Sequence, residues 1–315
     1  MDIRNVVSKT GLKIDGIAVM CPYVPKQMVT LGEKVVLKKI ISSVRLAKKL
    51  GAGIVGLGGF TSIVGNEGEI VAKEVDVAVT SGNTYTAALA LQGIEKAAQI
   101  LERPLESSVV AVIGATGDIG GICAKILSRK AKTLILCARK IEEAVDFISV
   151  LKKSSRTNII IEKYADKVAS QADFIISATS AATTIISPQN LRPGAVVCDV
   201  SLPPDIAKEV IKMRNDVFVF DGGKASFLNS GLIESNKWKG IFPNGIIYGC
   251  LAETMILALE QKFVNFSIGR GNITEDKIKF ISELAERHGF SLAPFHCGRY
   301  IYTQEDIQRI KNLIS

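Results

Sequence analysis

Two stretches of this chain carry residue types at spacings that could do chemistry. In the first, Gly114, Gly117 and Gly120 stand three residues apart, between a β-branched run from Val109 to Ile113 and a helical pattern through Ile122, Ile126 and Leu127. A strand that turns tightly into a helix gathers backbone N–H groups and the positive helix end at one point, which is where a dinucleotide pyrophosphate binds. The spacing departs from the commoner G-x-G-x-x-G, so Gly114, Thr116, Gly117, Asp118, Ile119 and Gly120 are read as a cradle from their context between strand and helix. The next predicted strand, Leu134 to Cys137, runs into Arg139 and Lys140. Enzymes that use NAD usually place an acidic residue there for the ribose hydroxyls; a basic pair suits the 2′-phosphate of NADP instead, so the sequence favours NADPH. Thr179 and Ser180 end a later strand on the same cofactor edge.

The second stretch surrounds Cys250. The pattern predicts a long helix from Ile246 to Phe263 whose apolar stripe is Ile247, Leu251, Met255 and Leu259, with Cys250 and Glu253 together beside it. An Asn244 cap would put Cys250 in the first turns, where the helix dipole lowers a thiol pKa and favours the nucleophilic thiolate. On pattern alone a cysteine in an apolar helix is usually a plain core residue. The six cysteines show no C-x-x-C pairing and no metal-ligand spacing. With two histidines in the chain, His288 and His296, a His-centred triad or a His-rich metal site is disfavoured.

These residues need a scaffold, and the pattern supplies an α/β one: a Rossmann-type doubly wound parallel sheet plus a second α/β domain for substrate. Strands are read at Gly16 to Val19 and Val75 to Thr80, a further strand runs into a glycine-rich loop over 53–65, and helices are read at Val35 to Leu50 and Tyr85 to Leu101, before the glycine turn. After it come a helix at Ile141 to Lys152 and strands at Asn158 to Ile161, Phe174 to Ile176, Ala195 to Asp199 and Val217 to Phe220. The expected division is 1–104 plus 246–315 for the substrate domain and 105–245 for the NADP-binding domain, with a packing helix from about Glu305. The loops at 58–62 and 80–84 follow carboxyl ends of strands and are expected to face a cleft.

Composition agrees. The chain is 47% hydrophobic with 6% aromatics, which suits an aliphatic α/β core. No run approaches a membrane span and no apolar signal region opens the sequence, so a cytoplasmic protein without stable membrane insertion is expected. The net charge of +8 points to an acidic partner, with Lys38, Lys39, Arg45, Lys48, Lys49, Lys152 and Lys153 as candidate docking residues or plain solvated faces. No nucleic-acid motif accompanies it.

A family resemblance rests on several motifs in order: Gly58-Gly59-Phe60-Thr61-Ser62-Ile63, Thr80-Ser81-Gly82-Asn83-Thr84-Tyr85-Thr86-Ala87, the glycine turn, Cys250-Leu251-Ala252-Glu253-Thr254-Met255, Asn265-Phe266-Ser267-Ile268-Gly269-Arg270 and His288-Gly289-Phe290. Together the sequence resembles the long-chain acyl-[acyl-carrier-protein] reductases known from cyanobacteria, from about Gly11 to Leu292. The resemblance implies NADPH-dependent reduction of a fatty acyl thioester, on acyl carrier protein or coenzyme A, to a fatty aldehyde through an acyl group carried on Cys250. The oxyanion formed on reduction needs donors in a dry site, and backbone N–H groups near Asn83 and Thr84 are the sequence's candidates. Three departures bear on chain length and carrier: the family's segment ahead of the first strand is missing from this sequence, Lys26 stands where an acidic residue is expected, and Asp199-Val200-Ser201-Leu202-Pro203 replaces a glycine-rich stretch.

Two other readings compete. A shikimate-dehydrogenase-like reductase would share the domain order, the Ala178-Thr179-Ser180 ending and a base at Lys26, but 80–84 lacks that family's Asp. A non-catalytic NADP-binding sensor or scaffold would keep the glycine turn and Arg139 and need no reactive thiol. A short-chain dehydrogenase fits less well, because no Tyr-x-x-x-Lys occurs.

Overall fold

The structure of the protein is a computed structural model and describes residues 2–155, 157–227 and 245–314. It opens with an antiparallel hairpin, β1 (Asp2–Val7) and β2 (Lys13–Ile17). Helices α1 (Pro25–Thr30) and α2 (Glu33–Lys49) follow, then β3 (Ile54–Gly56), the short turns α3 (Val64–Glu67) and α4 (Glu69–Glu74), β4 (Ala78–Thr80) and α5 (Asn83–Ile100). β3 and β4 pair in parallel. α2 forms because Val36, Leu37, Ile40, Val44 and Ala47 recur at helical spacing, and all five are buried. They pack with Leu57, Phe60, Val71 and Val79 into one aliphatic cluster, in which each large side chain contributes about 2 kcal/mol by leaving water.

Next come β5 (Val109–Ile113), α6 (Asp118–Leu127), β6 (Thr133–Cys137), α7 (Ile141–Ser154), β7 (Asn158–Glu162), α8 (Ala165–Ala169), β8 (Phe174–Ser177), β9 (Val196–Asp199), α9 (Val210–Met213) and β10 (Phe218–Asp221). The six strands lie in the order β10-β9-β8-β5-β6-β7, and every pair is parallel. That is the doubly wound Rossmann order, with its switch point between β5 and β8. The near-continuous apolar runs of these strands follow from burial on both faces.

The chain then gives β11 (Lys224–Ser226), β12 (Ile246–Tyr248), α10 (Gly249–Leu259), α11 (Glu275–His288), β13 (Ser291–Leu292), β14 (His296–Cys297), β15 (Tyr300–Ile301) and α12 (Gln304–Ile314). It forms two compact units: residues 1–88 with 224–293, and residues 89–223 with 294–315. These limits differ from the expected 1–104 plus 246–315 and 105–245. The first crossing falls inside α5, between Ala88 and Leu89, and the return falls at Lys224. Residues 294–315 belong to the six-stranded unit, because Phe295 and Tyr302 pack edge-on against Phe218, with centroids 5.0 and 4.7 Å away. Among the described residues no helix is long and apolar enough to cross a membrane.

Candidate active site

In the unit built around β3 and β4, Cys250 occupies the first turn of α10. The predicted helix from Ile246 begins later than expected: Ile246–Tyr248 pair with Lys224–Ser226 as β12, and Tyr248 is the residue preceding the helix. The cap read at Asn244 lies outside the described residues. The later start places Cys250 second in the helix, closer to its positive end than the sequence suggested.

The thiol is nonetheless not shifted downward as expected. Burial, with the carboxyl of Glu253 adding to it, pushes the Cys250 pKa up; backbone N–H groups of Gly59, Leu251 and Cys250 itself oppose that rise. The physical reason is desolvation, which outweighs the helix-end donors. Four other cysteines, 123, 137, 198 and 297, are buried, and burial drives all of them up, Cys123 to about 12. Cys250 differs from them in being a partly exposed residue.

Gly82 sets the close approach of the loop after β4 to this cysteine. Its φ is +76°, and a Cβ there would lie 2.2 Å from the Cys250 Cα, so only glycine fits. Glu253, fully buried one turn along α10, holds the same loop from below. Its carboxyl accepts from the Thr80 hydroxyl and, at 2.8 Å, from the Tyr85 N–H. Burial raises its pKa against those donors. Sequence reasoning noticed Glu253 only as a neighbour of the cysteine stripe. The signal that could have found its role is an acid in an otherwise apolar helix, three residues from a candidate nucleophile.

Asn83 and Thr84 open α5 and are buried. Their backbone N–H groups, the sequence's oxyanion donors, are already engaged: Asn83 N–H donates to Ser81 Oγ at 3.3 Å and Thr84 N–H to Ser267 Oγ at 3.2 Å. The Asn83 side chain donates to the buried Glu67 at 3.4 Å. Asn265 and Phe266 lie alongside β4, where the Asn265 side chain accepts from Val79 N–H at 2.9 Å and Phe266 N–H donates to Val79 O at 3.0 Å. The Asn265–Ser267 stretch therefore fixes the end of β4 and the loop behind it. Lys26 stands exposed in α1.

In the six-stranded unit the glycine turn follows β5 and Ala178-Thr179-Ser180 follows β8, so both sit at carboxyl ends flanking the switch point. Gly114 has φ +83°, and a Cβ there would meet Ala178 O at 2.4 Å; one on Gly120 would meet Gly114 O at 2.2 Å. Backbone is packed on backbone, and Gly117 precedes α6, whose first residue, Asp118, is buried. This cradle fits a dinucleotide diphosphate at a helix N-terminus. Thr179 is fixed in place: its N–H donates to Ser201 Oγ at 2.8 Å and its hydroxyl to Asp205 at 2.6 Å. Asp205, fully buried, also accepts from Ser177 at 2.6 Å and from Ser201. Ser180 is exposed, as are Arg139 and Lys140 beyond the carboxyl end of β6.

The strand order and glycine turn define a Rossmann-type unit of the kind that NAD(P)-dependent oxidoreductases use. Residues 95–221 match the family model described as shikimate / quinate 5-dehydrogenase. The chain is 31% identical to the protein named aminotransferase PigE of Serratia sp. (strain ATCC 39006) over 99% of its length, and it spans 36% of that relative. It is 30% identical to the long-chain acyl-[acyl-carrier-protein] reductase of Synechococcus elongatus, covering 92% of this chain and 86% of the relative. A shikimate dehydrogenase (NADP(+)) of Geobacillus sp. (strain WCH70) is 22% identical over 60% of this chain and 65% of its own. The chain belongs to the family of the Synechococcus reductase, as a distant member.

Proposed function

We propose that this protein reduces a fatty acyl thioester, presented on acyl carrier protein or coenzyme A, to a fatty aldehyde at the expense of NADPH, with Cys250 carrying the acyl group. The observation that carries the reading is the placement of Cys250, a partly exposed residue at the start of α10, backed by Gly82, with N–H groups of Gly59 and Leu251 opposing the rise in its pKa. A thiolate is a good nucleophile toward a thioester. Cys250 sulfur forms a bond to the acyl carbon, the bond to the donor sulfur breaks, and the donor leaves as a thiolate that takes up a proton. NADPH, held by the glycine turn after β5, would supply the hydride that reduces that carbon. The carbon–sulfur bond then breaks, releasing aldehyde and returning Cys250 as thiolate.

The chain's own residues have defined parts in this scheme. Gly59, Cys250 and Leu251 N–H groups stabilise negative charge at the sulfur and at the acyl oxygen beside it, the role first sought at Asn83 and Thr84. Asn83 and Thr84 instead hold the loop whose Gly82 touches the cysteine. Gly114, Thr116, Gly117, Asp118, Ile119 and Gly120 cradle the diphosphate, Thr179 and Ser180 border the nicotinamide side, and Arg139 with Lys140 receive the 2′-phosphate. A cytoplasmic location belongs to the same proposal.

The test is product analysis with palmitoyl-coenzyme A or palmitoyl-acyl carrier protein and NADPH. Hexadecanal is expected in a one-to-one ratio with NADPH consumed, and Cys250→Ala is expected to make none. Aldehyde formation by Cys250→Ala at the wild-type rate would end the proposal. The shikimate-dehydrogenase-like alternative predicts instead that a 3-hydroxy acid drives NADP+ reduction while thioesters are inert.

A further inference from the structure

α2 presents solvent with an arc of one chemical character. Advancing by about 100° per residue, Lys34, Arg45, Lys38, Lys49 and Lys39 fall within roughly 140° of the helix surface, and all five are exposed. Val35 and Leu46, both exposed, lie inside the same arc at 48% and 46% exposure. The opposite side is the buried stripe from Val36 to Ala47. The helix's one acid, Glu33, turns away and accepts from the Gly65 N–H at 3.2 Å. Lys48 pairs with Asp76 at the edge of the arc, and Arg45 donates to the Glu74 carbonyl. Lys34, Lys38, Lys39 and Lys49 have no ion-pair partner among the described residues. A solvated helix face ordinarily mixes both signs; this arc is basic along its length, with Val35 near one end, Leu46 near the other and no acid of α2 within it.

We infer that the exposed face of α2, roughly 25 Å long, is the docking surface for an acidic protein that delivers the acyl thioester. The inference rests on the proposed function for its substrate and on charge complementarity for its partner: the unpaired lysines steer an acidic surface, and Val35 with Leu46 bury apolar area once it arrives. Coenzyme A has no protein body to cover this arc, so the face separates the two donor classes.

The experiment uses the intact chain with a palmitoyl group on purified acyl carrier protein or on N-acetylcysteamine. The variant K38E/K39E/K49E is expected to raise KM for the carrier thioester at least tenfold and to weaken binding of the unloaded carrier, read by fluorescence anisotropy, by a similar factor. Its turnover of the N-acetylcysteamine thioester stays within twofold of wild type, which also reports an intact fold. V35S/L46S gives the same split by an independent route. Unchanged carrier binding in K38E/K39E/K49E overturns the docking face. The same holds if that variant loses only its sedimentation with equimolar phosphatidylglycerol–phosphatidylcholine vesicles, which would assign the arc to a lipid surface. Wild-type inertness toward the N-acetylcysteamine thioester would instead sink the reductase reading, whatever the carrier-binding result.

Discussion

Cys250 is held by contacts that leave little freedom in the residues around it. Replacing Gly82 by alanine would force a Cβ into the Cys250 backbone at a left-handed φ, with an expected cost of about 3 kcal/mol from overpacking and strain together. Urea unfolding should show the unfolding free energy falling by that amount, with a correspondingly lower midpoint. Glu253→Gln keeps the shape of the buried side chain but puts an NH2 among groups that donate to the carboxyl, the Thr80 hydroxyl and the Tyr85 N–H. We expect stability to drop by roughly 2 kcal/mol and alkylation of Cys250 by iodoacetamide to change its rate in the folded protein. A variant with wild-type stability and thiol reactivity would show that Glu253 does not position the loop. The raised thiol has its own pH consequence: the fraction of Cys250 thiolate grows as pH climbs past the ordinary thiol range. Alkylation should therefore keep accelerating between pH 8 and 10; a plateau reached by pH 7 would mean that the helix end prevails over burial.

At the scale of elements, β8, β9 and β10 end on a cluster of acids. Asp199 closes β9, accepts from Ser201 N–H at 3.0 Å and Ile206 N–H at 3.2 Å, and is pushed up to about 7 by burial and by Asp205. A carboxyl with a higher pKa folded than unfolded binds more protons in the folded state between about pH 4 and 7. Its contribution to stability is thus present at low pH and is lost as pH rises through 7. Unfolding free energy measured at pH 5 and pH 8 should fall more for wild type than for Asp199→Asn, whichever is more stable overall. Much of this scaffold was legible beforehand, because buried parallel strands write themselves as unbroken β-branched runs, and Val109 to Ile113 became β5 without change. The start of α10 was not. Ile246–Tyr248 look helical by spacing and become strand only because Lys224–Ser226, distant in sequence, offers them a ladder. The His288-Gly289-Phe290 motif was equally opaque. His288 Nε2 lies 2.8 Å from Glu260 Oε1 and Nδ1 lies 2.8 Å from the Ser8 hydroxyl, tying the first hairpin to α10 and α11. A pairing across 280 residues leaves no local trace.

For the whole molecule, the proposal assigns the thiol to one compact unit and the cofactor to the other, which makes their defects separable. Arg139→Ala should weaken NADPH binding at least tenfold more than NADH binding while leaving acylation of Cys250 intact; equal losses for both cofactors would remove the case for a 2′-phosphate contact. Loop residues at 58–62 and 80–84 could be placed from sequence because they follow strands, whereas the donors at the sulfur could not, since Gly59 meets Cys250 across most of the chain. The most direct measurement of the central claim is the intact mass of the protein after incubation with palmitoyl-acyl carrier protein or palmitoyl-coenzyme A without NADPH. The account predicts one palmitoyl adduct, absent in Cys250→Ala and discharged as hexadecanal when NADPH is added. A protein that binds NADPH yet takes up no acyl group from either thioester would contradict it.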